Sequence, residues 1–301
     1  MKRRIAAALF LSLGLMLTAC SSGDTSGDMA EEPAAEPAAD AKTEEQEQTV
    51  PDIEIVATED GDISSDENSL QTGTDGAGSD PEEVKEAAEN VKQEVIVIDP
   101  GHSAVVAEGM EPLGPGSSEQ KSADTSGTSG VSTGIPEYEL TLRVSQKLKT
   151  ELESRGYTVI LTRETNDVPV SCVQRAETAN GISADAFVRI HANGADSSSA
   201  QGAMTICITP ENPFYPELYT QSRALSDAVI NELCAAAGCE NDGVWETDSM
   251  SGNNWSKVPA TIVEMGYMTN PAEDELMARD DYQNKLTQGI ANGIEAYFQG
   301  Q

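Results

Sequence analysis

Alternating strand and helix signals place this chain in the α/β class: a single domain with a mostly parallel, mixed sheet flanked by helices, preceded by a disordered acidic linker. Three observations predict this. Short apolar runs close on Gly, Pro or a polar residue, apolar residues recur every fourth position between those runs, and both patterns begin only near residue 93. Strands that alternate with helices imply crossover connections and hence a largely parallel sheet.

Val95-Ile96-Val97-Ile98-Asp99, closed by Pro100-Gly101, reads as a strand buried on both faces. Leu140, Val144, Leu148 and Leu152 form the apolar stripe of a helix over Glu137–Leu152, with Gly156 as its C-terminal cap. Tyr157–Leu161 is the next strand, and 171–180 a short helix stopped at Asn180-Gly181. Ala186–His191 and Ala203–Thr209 are further strands. Leu225, Val229 and Leu233 share one face of a helix over Leu218–Ala237, and Thr261–Tyr267 is another strand. Tyr282, Leu286, Ile290, Ile294 and Tyr297 mark a final helix. Residues 103–134, rich in Gly, Ser and Thr, break the rhythm and read as a long structureless loop, a kind usually functional or disordered.

The amino terminus is of different material. Met1-Lys2-Arg3-Arg4 precedes an apolar run, Ile5–Leu17, which is shorter than the roughly 20 residues of a permanent membrane helix. A basic start, a short apolar core and a small-residue exit make a secretory signal over residues 1–20. The exit, Leu17-Thr18-Ala19-Cys20, resembles the lipobox of bacterial lipoproteins, which implies Cys20 as the lipidated first residue of an extracytoplasmic, membrane-anchored protein. Residues 21–92 hold 22 acidic against 3 basic side chains and no aromatic residue. Such a stretch buries too little apolar surface to offset its ordering entropy, and it reads as a solvated spacer with only Ile53–Val56 hinting at local order. Residues 93–301 are the expected catalytic domain. The formal charge of −34 argues against nucleic acid as a partner, since such binders need a basic face.

Five cysteines are present, and none forms a paired CxxC pattern. Cys234 and Cys239 flank Gly238 at a helix end, where a local disulfide and a pair of buried thiols are equally compatible with the sequence; Cys172 and Cys207 are the others. The chain has two histidines, His102 and His191, each at or just past the carboxyl end of a strand, where open α/β sheets collect ligands. Glu264 interrupts an apolar strand, a costly place for a charge unless it faces a cation, an ion-pair partner or water. Glu137 opens a helix directly after Pro136, where macrodipole compensation alone would also explain it. Two imidazoles and a carboxylate with an open fourth position are a familiar catalytic zinc set.

Four motifs in order make the resemblance specific. Val97-Ile98-Asp99-Pro100-Gly101-His102, then Glu137, then Phe187-Val188-Arg189-Ile190-His191-Ala192-Asn193, then Pro259–Asn270 resemble the zinc-dependent N-acetylmuramoyl-L-alanine amidases of bacterial cell walls, amidase type 3; Arg163, Arg175 and Ala179-Asn180 also match. The resemblance implies one zinc ion per chain held by His102, Glu137 and His191, with Glu264 as the catalytic base and peptidoglycan as the substrate. Glu139 is the alternative to Glu137, since residues two apart on a helix point about 200° apart and only one can face the metal. Arg189 stands where many members carry a small polar residue; it is expected either to contact a substrate carboxylate or to hold Asp99 or Glu264, and Asn193 is assigned to substrate contact with it. Another zinc amide hydrolase acting on wall peptides, or a non-catalytic wall-binding lipoprotein, are the competing readings.

Overall fold

The structure is a computed structural model describing residues 94–301, which lie within the second of two units of the chain, Thr74–Gln301. The leader, Cys20 and the acidic linker lie outside the described residues. No helix among the described residues is long and apolar enough to cross a membrane.

Among the described residues, eight strands and six α-helices follow in the order β1 (Val95–Pro100), β2 (Met110–Pro112), β3 (Gln120–Ser122), α1 (Glu137–Ser154), β4 (Thr158–Leu161), α2 (Cys172–Gly181), β5 (Ala186–Asn193), β6 (Ala203–Cys207), α3 (Tyr219–Ala237), β7 (Asn241–Glu246), α4 (Ser251–Trp255), β8 (Ala260–Tyr267), α5 (Pro271–Met277) and α6 (Asp280–Gln299). Six strands form one sheet in the order β4-β1-β5-β8-β6-β7. The first four run parallel; β6 pairs antiparallel to β8, and β7 parallel to β6. The expected mostly parallel, mixed sheet flanked by helices is therefore present.

Alternation along the strands assigns the two faces. Ile96, Ile98, Val188, Ile190, Val263 and Met265 bury against the stripes of α1, α3 and α6 in the larger core. Val97, Phe187 and Ala260 turn the other way, onto Ala176 and Ala179 of α2 and partly buried Trp255. Asp99, Arg189, His191, Ile262 and Glu264 have the parity of this second face.

Local chemistry sets the helix ends. Ser171 and Gln174 form a reciprocal capping box at the start of α2. The Asn270 side chain accepts from Ala272 and Glu273, with Pro271 in the first turn of α5. At α1, Glu137 and Glu139 supply negative charge to the first turn, while Gly156, at φ 94°, follows the last turn.

Five elements depart from expectation. The loop 103–134 is not structureless: it folds a small antiparallel hairpin, β2–β3, whose Gly114–Ser117 turn is closed by a backbone bond of 3.0 Å. Strand β7 is half exposed and nowhere fully buried because it is a sheet edge, so it lacks the apolar run of an interior strand. Helices α4 and α5 are too short for a periodic stripe, although the Asn270-Pro271 cap of α5 is a usable signal.

Candidate metal centre and active site

The segment Pro100-Gly101-His102 leaves β1 and is held by its carbonyls. Arg163 donates to Pro100 and Gly101, Arg175 to Pro100 and His102, and the Thr141 hydroxyl to Gly101, at 2.6–3.0 Å. These bonds accompany an uncommon backbone at His102, whose φ of 58° lies in the left-handed region. Such a conformation costs of order 1–3 kcal/mol and persists only where the surroundings over-determine it. Gly101 is required for a separate reason: a Cβ there would lie 2.4 Å from the His191 ring.

His102, Glu137 and His191 come together. Glu137 Oε1 lies 3.2 Å from His102 Nε2 and 3.1 Å from His191 Nδ1. One ligand atom from each residue fits within a 4.8 Å span. The two short separations approach the edge of about 3.3 Å expected of a tetrahedron with metal–ligand bonds of 2.0–2.1 Å. The donor set, two imidazoles and a carboxylate, suits zinc among divalent metals.

The surroundings aim these atoms. The Thr125 carbonyl lies 2.8 Å from His102 Nδ1. A carbonyl only accepts, so Nδ1 carries a proton, and Nε2 is the ring nitrogen that faces Glu137. Glu137 Oε2 accepts from the Thr128 amide and Oε1 from the Ala192 amide, at 2.9 and 3.1 Å. Thr125 and Thr128 both belong to the 103–134 loop. Glu137 is only 4% exposed, whereas Glu139 is half-buried and paired with Arg143, so the structure brings Glu137 and not Glu139 to the histidines.

Electrostatics tie the three groups into one unit. Burial alone would raise Glu137, but the bonds to His102 and His191 hold it well below the usual carboxylate range. Burial also works against His102, yet the hydrogen bond and charge of Glu137 raise it overall. His191 is driven down to about 4 by burial and the charge of His102, against the pull of Glu137.

Glu264 stands across from His191 in the β5–β8 register. Its Oε2 and the Nε2 of His191 are buried atoms without a hydrogen-bond partner. Burial and the Glu137 carboxylate push Glu264 up to about 8. Such groups in a cleft mark a functional site. Two cavities meet at these residues. One, of about 700 Å³, is lined by His102, Glu137, His191, Asn193, Asp196 and Glu264. The other, of about 390 Å³, runs past His102, His191 and Glu264 to Lys121, Cys172 and Arg189.

Arg189 is placed chiefly by Asp99, to which its Nε donates at 2.9 Å, and Arg175 takes the other Asp99 oxygen at 2.8 Å. Of the roles the sequence offered, holding Asp99 is the one the contacts describe; Arg189 is 5% exposed and also lines the second cavity. Asn193 lines the first, where its Oδ1 accepts from Gly194 N at 2.8 Å. Sequence reasoning assigned no role to Arg163 or Arg175 beyond their match to the motifs, and it missed Thr125 and Thr128, whose contribution through backbone atoms leaves no signal in side-chain identity.

The fold and the site together define an α/β domain with a His–Glu–His cluster able to hold a metal ion beside a buried carboxylate. The chain belongs to the family described as N-acetylmuramoyl-L-alanine amidase, whose profile matches residues 96–296. It is 30% identical over 212 residues to N-acetylmuramoyl-L-alanine amidase Rv3717 of Mycobacterium tuberculosis, covering 67% of this chain and 87% of that protein. It is 28% identical over 207 residues to N-acetylmuramoyl-L-alanine amidase LytC of Bacillus subtilis, covering 68% of this chain but only 36% of that protein. Among solved structures, the amidase Ami1 of Mycobacterium abscessus superposes with a TM-score of 0.63 at 26% identity, covering 69% of this chain and all of that one.

Proposed function

We propose that this chain is a zinc-dependent enzyme that hydrolyses the amide bond between N-acetylmuramic acid and L-alanine in peptidoglycan, working outside the cytoplasm on a lipid tether at Cys20. The observation that carries the reading is the convergence of His102 Nε2 and His191 Nδ1 on one Glu137 oxygen, with the buried, unpartnered Oε2 of Glu264 alongside. Family membership supports the substrate class.

His102, Glu137 and His191 would hold the ion. A bound zinc supplies Lewis-acid polarisation of the scissile carbonyl and lowers the pKa of water at its open position. Glu264 takes the proton from the attacking water and delivers it to the departing L-alanine nitrogen, so one carboxylate serves first as base and then as acid. The two cavities, both lined by His102, His191 and Glu264, would give the halves of the substrate separate places. Arg189, already fixed by Asp99, would present its guanidinium to an anionic part of the substrate, and Asn193 would contact the substrate from the wall of the larger cavity. Residues 21–92 serve as a spacer between the anchored Cys20 and the domain.

The test is digestion of purified peptidoglycan by the full chain with and without a chelator, read by mass spectrometry alongside metal analysis. New L-alanine amino termini and free lactyl carboxyls, lost on chelation and restored by zinc, are expected. Cleavage within the stem peptide would replace the amidase reading by a peptidase one. Stoichiometric zinc retained by His102→Ala would remove the proposed ligand set.

A further inference from the structure

Helix α3 ends in a feature that the amide chemistry does not use. Cys234 lies in its last turn, and Cys239 follows Gly238, the left-handed C-cap at φ 76°, whose amide donates to Cys234 O at 2.9 Å. On a continuing helix, residues five apart would point about 140° away from each other. The left-handed turn, readily adopted by glycine, instead folds Cys239 back so that the two sulfur atoms stand 3.0 Å apart. Both residues are half-buried and pack against the larger core as free thiols.

We infer that Cys234 and Cys239 are a thiol-exchange site, closing to a disulfide by reaction with external disulfides. An S–S bond of about 2.05 Å needs the sulfurs to approach by roughly 1 Å, a movement available to side chains at a helix end. Both thiols are half-buried, and a surface cavity gives one of them an approach. Cys239 lines a surface cavity of about 380 Å³ together with Glu240, Tyr282 and Lys285, whereas Cys234 is not part of that wall and donates to the Glu240 carbonyl at 3.4 Å.

These positions order the reaction. The Cys239 thiolate attacks one sulfur of the external disulfide, forming a mixed disulfide and releasing the first thiolate, which takes up a proton. Cys234 then loses its proton to solvent and attacks the Cys239 sulfur, expelling the second thiolate. Two protein thiols are oxidised to one disulfide, and one external disulfide is reduced to two thiols. The bond would join the end of α3 to the start of β7, where Ala203 N donates to Glu240 O at 2.9 Å and the β6–β7 pairing begins. The geometry stands independently of the amidase reading; only persistence of the bond in the cell rests on the proposed extracytoplasmic location, since disulfides survive in oxidising compartments.

Trypsin isolates the pair, because the stretch from Ala224 to Lys257 contains no other cysteine and no internal basic residue. The full chain would be equilibrated in buffers stepped from reduced to oxidised glutathione, blocked with N-ethylmaleimide and digested. The peptide should pass from carrying two maleimides to carrying none, with a mass two hydrogens lower. Cys234→Ser should trap glutathione on Cys239, and Cys239→Ser should trap far less on Cys234. Two maleimides across the whole range, or two separate glutathione adducts without a cross-link, would overturn the assignment. Equal trapping in both variants would overturn the order of attack.

Discussion

Glu264 and His191 are direct neighbours in the parallel register of β8 and β5, so one unpartnered carboxylate oxygen and one unpartnered imidazole nitrogen lie on adjoining strands. Strand spacing of about 4.8 Å places Glu264 beside the ligand cluster. It therefore reaches the chemistry without joining the three side chains that meet at Glu137.

Glu264→Gln should separate metal binding from turnover. The amide keeps the shape of the side chain but cannot take the proton. Zinc content should stay at one per chain while kcat falls by about 10²-fold or more. Loss of zinc in this variant would make Glu264 a ligand, and a near-normal rate would remove it from the mechanism.

Gly101→Ala should damage the metal site while leaving the sheet intact. Its new methyl would lie 2.4 Å from the His191 ring, which has to swing away. A drop of about 10–100-fold in zinc affinity, by competition with a chromogenic chelator, is the scale of a displaced ligand orienter. Unchanged affinity would mean that His191 is not held by this contact.

Asp99 should give the fold an acid-sensitive component. Burial raises its carboxyl, but Arg175, Arg189 and Thr162 more than offset this and leave it well below the usual range. A depressed native pKa means that the unfolded chain binds this proton first as pH falls. The contribution is then complete above about pH 4 and drains away below it. Asp99→Asn should cost about 3–5 kcal/mol at neutral pH, because two buried guanidiniums lose their counter-charge. It should also flatten the decline in stability below pH 4 in denaturant melts. An acid limb as steep as that of the parent would assign the effect to other carboxylates.

The spacer reading predicts dependence on length and charge but not on order. The 72 residues from 21 to 92 would span roughly 45 Å root-mean-square as a flexible coil, more with like-charge repulsion. Deleting about 50 of them should impair wall cleavage in cells, and scrambling them at fixed composition should not. Equal damage from the scramble would point to a specific partner for the segment.

The sequence carries the architecture where burial writes it. The continuous apolar run at Val95–Ile98 and the stripes Leu140–Leu152 and Leu225–Leu233 have fixed periods because each faces a core on a defined side. Strand β7 escapes because its outer edge meets solvent and demands no pattern. The convergence of His102, Glu137 and His191 follows from strand ends and one helix start, so the residues could be nominated from sequence. The left-handed backbone at His102, and the Thr125 and Thr128 main-chain groups that hold the cluster, could not: hydrogen bonds to backbone atoms constrain conformation rather than residue type.

On the proposed ligand set, the hairpin-bearing segment between β1 and α1 would take part in holding the metal. One ligand hangs from its Thr125 carbonyl, and another takes a bond from its Thr128 amide. A lid that swung open at this segment would release both ligands at once, so gating and metal retention cannot be separated here. Grafting a shorter loop from a relative would have to supply replacement backbone groups at both positions before it could be expected to bind zinc.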